Sequence, residues 1–95
     1  MRVLWTPPAR RDLLSLREYI ARDAPGSAAR VVSLVRTAVV TLEQYPYRGR
    51  RGDVTGTREL VVARTPYIVV YRVLPHPEMI QILRVLHGAQ EWPPR

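Results

Sequence analysis

The side chains that could do chemistry are concentrated in the second half of the chain, where arginine, tyrosine and histidine recur at short intervals. They are Arg58, Arg64, Tyr67, Tyr71, Arg72, Arg84 and His87. Arginine can bind a phosphodiester, a tyrosine ring can stack on a base, and a histidine can exchange a proton near neutral pH. The set fits contact with a nucleic acid. The alternative is that Tyr67 and Tyr71 are core or cross-strand residues and that His87 only ends a strand.

Other kinds of catalytic site find no support in the sequence. There is no glycine-rich phosphate loop, no cluster of metal ligands and no cysteine, and the serines fall on predicted helices without a histidine nearby. We therefore nominate no confident catalytic residue and expect neither a metal nor another cofactor. If the protein is a nuclease, the candidate residues are Arg64, Arg72, Arg84 and His87.

Composition describes a small basic protein. With 95 residues, 46% of them hydrophobic, the chain can form one domain spanning 1–95 with a modest core. All 15 basic residues are arginine, and the net charge of +7 favours an anionic partner such as nucleic acid or an acidic protein segment. A merely solvated surface is the alternative. Without cysteine or an apolar run long enough to cross a membrane, we expect a cytoplasmic protein.

The first half of the chain predicts a short strand near residues 3–5 and an antiparallel helical hairpin over residues 7–44. Thr6 can cap the first helix, followed by prolines that a first turn tolerates. Two apolar stripes at helical spacing mark the buried faces. They are Ala9, Leu13, Leu16 and Ile20 in the first helix, and Ala28, Val31, Val35, Ala38, Val39 and Leu42 in the second.

The second half predicts a basic loop, a sheet and a tail. The loop at residues 45–56 contains Arg48, Arg50 and Arg51, which could contact phosphate or an acidic partner, or only solvent. Residues 57–87 predict a three-stranded meander, and residues 88–95 a polar tail. The segments YIVVYRVL and MIQILRVL are apolar on both faces, which is typical of central strands. We expect an α+β fold with a mainly antiparallel sheet of about four strands.

This order of elements resembles the RelE/ParE toxins of bacterial type II toxin-antitoxin systems. The segments that carry the resemblance match the ParE-like branch and span almost the whole chain. They are ARRDLLSLREYI, YPYRGRRGDVTGTRELVV, PYIVVYRV and ILRVLHGAQEWP. The last three, with their glycine, arginine and tyrosine placements, discriminate better than the helices, which many small proteins could imitate.

The resemblance implies one of two activities, because the superfamily contains ribosome-dependent mRNA endonucleases and inhibitors of DNA gyrase. The nucleases place basic residues where this chain, aligned on PYIVVYRV, has Glu59, Val61 and Ile68. A carboxylate and two aliphatic side chains cannot stabilise the charge that develops on a cleaved phosphodiester. We therefore expect a non-enzymatic, ParE-like toxin that blocks replication. Some nucleases of the superfamily use a glutamate with a histidine, so an mRNA interferase remains the alternative, as does a non-toxic relative in an autorepressor complex.

The resemblance also implies a cognate antitoxin whose acidic, partly disordered C-terminal segment folds on the toxin, giving a hetero-oligomer that reaches DNA through the antitoxin. We expect an apolar groove between the helical hairpin and the sheet to accept that segment. Predicted antitoxin-binding residues are Leu16, Ile20, Arg50, Arg51, Tyr67 and Tyr71. Predicted gyrase-binding residues are Arg58, Arg72, Arg84, His87 and Trp92. Trp92 has an alternative role, in which it folds back to cap the sheet.

Overall fold

The helical hairpin forms where the apolar stripes predict it. In a computed structural model that describes residues 1–90, 92 and 93, helix α1 spans Pro7–Ala21 and helix α2 spans Pro25–Gln44. The Thr6 hydroxyl accepts a hydrogen bond from the Ala9 N–H at 3.4 Å and so caps α1, while prolines occupy the first turn of each helix. Proline is tolerated there because the first N–H groups of a helix have no partner within it.

The strands form one five-stranded sheet with the order β1-β5-β4-β3-β2. The strands are β1 (Arg2–Trp5), β2 (Arg50–Arg51), β3 (Arg58–Val61), β4 (Tyr67–Pro75) and β5 (Glu78–His87). The meander of β3, β4 and β5 is antiparallel, whereas β1 pairs in parallel with β5. The α+β prediction is confirmed. The fifth strand, β2, is two residues long and lies within the segment predicted as a basic loop.

The core lies between the helices and one face of the sheet. Tyr67, Val69 and Tyr71 of β4 and Ile82 and Val85 of β5 point toward the helices. The matching helical residues are Ala9, Leu13 and Leu16 of α1 and Val31, Val35, Val39 and Leu42 of α2. Burial of these apolar side chains on both layers is the main stabilising term, since the described chain has no disulfide. The apolar stripes predicted for both helices are therefore the faces that the fold buries.

The opposite face of the sheet, which we call the outer face, is also partly covered. Successive residues of a strand point to opposite sides, so Ile68, Val70 and Leu86 point away from the helices. Val70 is nonetheless 1% exposed and Leu86 5% exposed. Trp92 and the strand-end residue His87 line a cavity with them. The described part of the C-terminal tail thus lies against the outer face, as one of the two roles proposed for Trp92 requires.

Beyond Ile82, the edge of β5 is hydrogen-bonded by side chains rather than by another strand. Strand β1 follows β5 only as far as Ile82, because the chain then turns into α1. The Thr6 hydroxyl donates to the Ile82 carbonyl at 2.7 Å, and an Asp12 carboxylate oxygen accepts the Val85 N–H at 2.9 Å. These bonds satisfy backbone groups that would otherwise leave an open sheet edge.

No helix within residues 1–90, 92 and 93 combines the length and the apolar composition needed to cross a membrane.

Candidate functional site

The basic segment after α2 is held in place by one buried hydroxyl. Tyr71 is fully buried, and its hydroxyl donates to the Pro46 carbonyl at 2.8 Å and accepts the Gly49 N–H at 2.8 Å. A Cβ on Gly49 would lie 2.7 Å from that hydroxyl, so only glycine allows the approach. Burial raises the pKa of the Tyr71 phenol, although the Gly49 N–H and the charge of Arg58 act in the opposite direction. Tyr71 thereby fixes the path of residues 46–49.

Two exposed tyrosines and several arginines share this fixed segment. Tyr45 is 58% exposed and Tyr47 is 59% exposed. The Arg58 guanidinium lies 4.9 Å from the centre of the Tyr47 ring, and its Nη1 donates to the Gly49 carbonyl at 2.8 Å and the Tyr47 carbonyl at 3.3 Å. Arg58 is therefore a positioned cation beside an exposed ring, rather than a mobile surface arginine.

Arg84 is held by an ion pair with Asp12. Its Nε and Nη2 donate to the two Asp12 carboxylate oxygens at 2.7 and 3.0 Å, joining β5 to α1. These hydrogen bonds raise the pKa of Arg84 above its ordinary value. The Trp92 ring lies 5.7 Å from the guanidinium, which places Trp92 against this pair. The geometry gives Arg84 a structural contact with α1, and its part in target binding stays a prediction.

A cavity of about 200 Å³ opens on the outer face of the sheet. Its polar lining includes Glu59 and His87, and its floor contains Val70 and Leu86. The Glu59 Oε1 accepts a hydrogen bond from the Arg50 Nη2 at 3.1 Å, so the carboxylate is already paired with a cation.

The tautomer of His87 follows from its backbone contact. The Ala89 N–H donates to the His87 Nδ1 at 3.1 Å, which places the proton of the neutral ring on Nε2. In this state His87 can donate a proton from Nε2 but cannot accept one there. Its ring also packs edge-on against Tyr67 with centroids 5.7 Å apart.

The four residues nominated for a nuclease do not converge. Arg72 is exposed on β4, where its Nε donates to the Gln81 side chain at 2.8 Å, whereas His87 pairs with Tyr67 five residues away. At a rise of about 3.3 Å per residue, Arg72 and His87 are roughly 16 Å apart along the strands. Arg64 is exposed in the β3–β4 turn with a φ of 65°, and Arg84 is bound to Asp12.

The residues predicted to bind an antitoxin differ in burial: three are buried, one is half-buried and two are exposed. Leu16 is 6% exposed, Tyr67 is 7% exposed and Tyr71 is fully buried, because all three face the core between helices and sheet. Their side chains therefore belong to the core, as the alternative for Tyr67 and Tyr71 states, and their part in antitoxin binding stays a prediction. Burial, with a smaller effect of Tyr19, also raises the pKa of Tyr67. Arg50 and Arg51 are exposed on β2, and Ile20 is half-buried at the end of α1.

An apolar groove with a basic rim runs between the two helices and β1. It consists of two adjoining cavities of about 450 and 540 Å³ that share Arg17, Val32 and Arg36. Leu4 is 45% exposed, Leu14 57% and Val40 58% along it. Sequence reasoning predicted a groove between hairpin and sheet but not these residues. The sequence feature that could have indicated the groove is an apolar residue directly after a residue of the buried stripe in each helix, Leu14 in α1 and Val40 in α2.

Asp12 was also missed by sequence reasoning, although it joins α1 to β5 through three hydrogen bonds. Its partners Arg84 and Val85 lie 72 and 73 residues away in sequence. The sequence feature that could have identified Asp12 is its negative charge, since it is the only acidic residue among the first 17. Within residues 1–90, 92 and 93, no three histidine, aspartate or glutamate side chains come close enough to hold a metal ion.

Comparisons with known proteins agree with the fold and the sequence segments. A family model described as the ParE toxin of the type II toxin-antitoxin system parDE matches residues 3–92. Y4kP of Sinorhizobium fredii, a candidate toxin, is 46% identical over 92 residues, covering 97% of this chain and 93% of its own.

Two solved toxin-antitoxin structures share the fold. The chromosomal ParDE system of P. aeruginosa has a TM-score of 0.83 at 30% identity, over 92% of this chain and 95% of that chain. The RelBE2 complex of Mycobacterium tuberculosis has a TM-score of 0.62 at 32% identity, over 90% of this chain and 95% of that chain. The resemblance seen in the sequence is confirmed, and the chain belongs to the ParE toxin family of type II toxin-antitoxin systems.

Proposed function

We propose that this toxin acts by binding and inhibiting DNA gyrase, without cleaving RNA, and that a cognate antitoxin neutralises it. The observation that supports this most is the chemistry of the outer face. A nuclease of the superfamily would need converging cations there, and the three diagnostic positions hold Glu59, Val61 and Ile68. Val61 is 57% exposed, so an apolar side chain faces the space where charge would have to be stabilised.

The engagement of the sheet arginines supports the same proposal. Arg50 is paired with Glu59, and Arg84 is paired with Asp12. Arg72 retains the exposure that a target contact needs, and its place on the outer face keeps it a proposed gyrase-binding residue. The higher TM-score with the ParDE system than with RelBE2, 0.83 against 0.62, favours the ParE-like activity further.

The alternative of an mRNA endonuclease has one specific observation in its favour. Glu59 and His87 line the same cavity, and a carboxylate with an imidazole is a workable acid–base pair. However, the cavity cation nearest to them in the sheet, Arg50, is neutralised by Glu59. A single histidine donor with a paired glutamate leaves the developing phosphorane charge without an unpaired cation among the described lining residues.

Supercoiling by purified gyrase tests the proposal directly. Relaxed plasmid, ATP and increasing amounts of the toxin should show both lost supercoiling and accumulated cleaved DNA. Intact supercoiling in the presence of folded toxin that still arrests growth would refute the gyrase proposal.

A matched pair of variants separates the two activities. Glu59→Gln removes the carboxylate that lines the outer-face cavity with His87, and we expect gyrase inhibition to persist. Arg72→Ala removes an exposed arginine of the same face, and we expect inhibition to fall. If Glu59→Gln instead abolishes a ribosome-dependent mRNA cleavage shown by the wild type, the endonuclease alternative is correct.

The groove between the helices and β1 is the surface we propose for the antitoxin. Leu4, Leu14 and Val40 supply exposed apolar area, and Arg10, Arg17 and Arg36 line the same cavities. An amphipathic segment with one apolar and one acidic face is complementary to both features. Ile20 remains a candidate contact at the end of α1, and Arg50 and Arg51 remain candidates for a more distant part of the segment. DNA binding by the complex would then come through the antitoxin.

A further inference from the structure

A second exposed surface lies away from the groove, at the turn between α2 and β2, and adjoins the outer-face cavity at Asp53. Gln44, Tyr45, Pro46, Tyr47 and Arg48 enclose an open cavity of about 620 Å³. Tyr47 is also a wall of a neighbouring cavity of about 440 Å³ that includes Arg51 and Arg58. One exposed ring therefore separates two adjacent cavities, each with arginine in its lining. We call Tyr45, Tyr47, Arg48, Arg51 and Arg58 the tyrosine–arginine surface.

The tyrosine–arginine surface is built in advance of any partner. Tyr71 fixes the backbone at Pro46 and Gly49 through its buried hydroxyl. Arg58 is anchored by two carbonyls through Nη1, so its Nε and Nη2 hydrogens have no acceptor in the described part of the chain. A ring and a cation that are already positioned lose little conformational entropy when a ligand binds.

The chemistry of this surface selects its ligand. Exposed aromatic rings offer faces for unpaired bases, while guanidinium groups bind phosphate oxygens. An acidic peptide would use the arginines but would leave more than half of each tyrosine side chain without a matching group. Two acidic residues are close: Asp53 lines the cavity of Arg51, and Glu59 is already paired with Arg50. Arg48, Arg51 and Arg58 thus remain as the cations of the surface.

We propose that the tyrosine–arginine surface binds single-stranded nucleic acid, with bases on Tyr45 and Tyr47 and phosphates on Arg48, Arg51 and Arg58. DNA and RNA single strands share this chemistry. The proposal goes beyond the gyrase target and does not depend on it.

Fluorescence anisotropy with the full chain tests the proposal. The probes are labelled oligothymidylate and oligouridylate of about 20 nucleotides, with a duplex of the same length as a third arm. We expect single strands to bind more tightly than duplex, with a slope of log affinity against log salt of about −2 for three arginines. Binding of both single strands assigns the shared chemistry, and binding of one alone shows that the surface discriminates through the 2′-hydroxyl or the thymine methyl group, the two groups in which the probes differ.

Two variants assign the binding to this surface. Tyr47→Leu keeps apolar bulk but removes the aromatic face, and we expect it to weaken binding about fivefold or more. Arg48→Ala with Arg51→Ala should reduce the salt slope by about 1.4, since each phosphate contact contributes about 0.7. Tyr19→Ala and Arg30→Ala are the matched controls, because both residues are exposed on the helices away from this surface.

Urea denaturation and circular dichroism establish that each variant is folded, so lost binding reflects the surface. The proposal is overturned by absence of saturable binding to either single strand, by tighter binding to duplex, or by equal losses in the controls. It is also overturned if folded Tyr47→Leu and the arginine double variant both bind like the wild type. The assay contains no gyrase, so its failure and the failure of the gyrase proposal are separate results.

Discussion

Removing a single oxygen atom from Tyr71 should loosen the segment that joins the helices to the sheet. The Tyr71 hydroxyl is the shared partner of the Pro46 carbonyl and the Gly49 N–H, both at 2.8 Å. Tyr71→Phe keeps the ring that fills the core and removes only these two hydrogen bonds. The variant therefore isolates the polar contribution of one buried group.

The expected loss follows from the surroundings of the two abandoned groups. Gly49 is buried, so its N–H would lose its partner without gaining water, at a cost of about 1–3 kcal/mol. Pro46 is only half-buried, and its carbonyl can recover part of its bonding from solvent, which reduces its share to about 0.5–1 kcal/mol. We expect a total loss of about 1.5–4 kcal/mol in the free energy of unfolding, or a fall of roughly 6–30 °C in Tm for a domain of this size.

Equilibrium urea denaturation of the wild type, Tyr71→Phe and Tyr47→Phe measures this difference. Tyr47 is the matched control because it is an exposed tyrosine of the same segment, and its loss of a hydroxyl should change the free energy by less than about 0.5 kcal/mol. A Tyr71→Phe protein within about 0.5 kcal/mol of the wild type would refute the reasoning. It would mean that the segment finds equivalent partners elsewhere.

Three further predictions concern other parts of the molecule. Asp12→Ala should cost about 2 kcal/mol in urea denaturation, because it leaves the partly buried Arg84 without its carboxylate; an unchanged midpoint would contradict this. Burial raises the pKa values of Tyr67 and Tyr71 above 10.0. The contribution of the two neutral phenols to the free energy of unfolding is therefore complete below about pH 10 and is lost as the pH rises above it. The urea midpoint of the wild type should therefore fall between about pH 9 and about pH 11, and that of Tyr71→Phe should fall less. Equal falls in the two proteins would contradict this prediction. Finally, salt should slow association with the antitoxin more than it speeds dissociation, and stopped-flow rates that show a salt-independent association would exclude electrostatic capture by the basic groove.

Local patterns in the sequence were enough to predict the helices and the central strands. A buried stripe such as Ala9, Leu13 and Leu16 follows from helical spacing, and strands that are apolar on both faces belong in the middle of a sheet. The parallel pairing of β1 with β5 was not predictable in the same way. It depends on how the helical hairpin returns the chain, and no residue in either strand encodes that direction.

The candidate surfaces were less accessible to sequence reasoning because they depend on contacts between distant residues. Tyr67 and Tyr71 have the composition of a binding site, yet their positions on the helix-facing side of β4 bury them. Tyr45 and Tyr47 are exposed instead, and their placement depends on the Tyr71 hydroxyl, which donates to the Pro46 carbonyl 25 residues away in sequence. Arg84 likewise looked like a free cation because its partner, Asp12, is 72 residues distant.

The pairing of the first strand with the last also determines when the toxin acquires its shape during synthesis. Helices α1 and α2 can form as soon as they leave the ribosome. Their apolar faces stay unpacked until Ile80 and Ile82 of β5 have been synthesised. Until β5 is present, β1 has no strand to pair with, and the groove beside β1 is incomplete. A chain interrupted before residue 78 would therefore expose apolar helices and lack the surfaces proposed for gyrase and antitoxin. Such a fragment should be a substrate for proteolysis instead of a toxin.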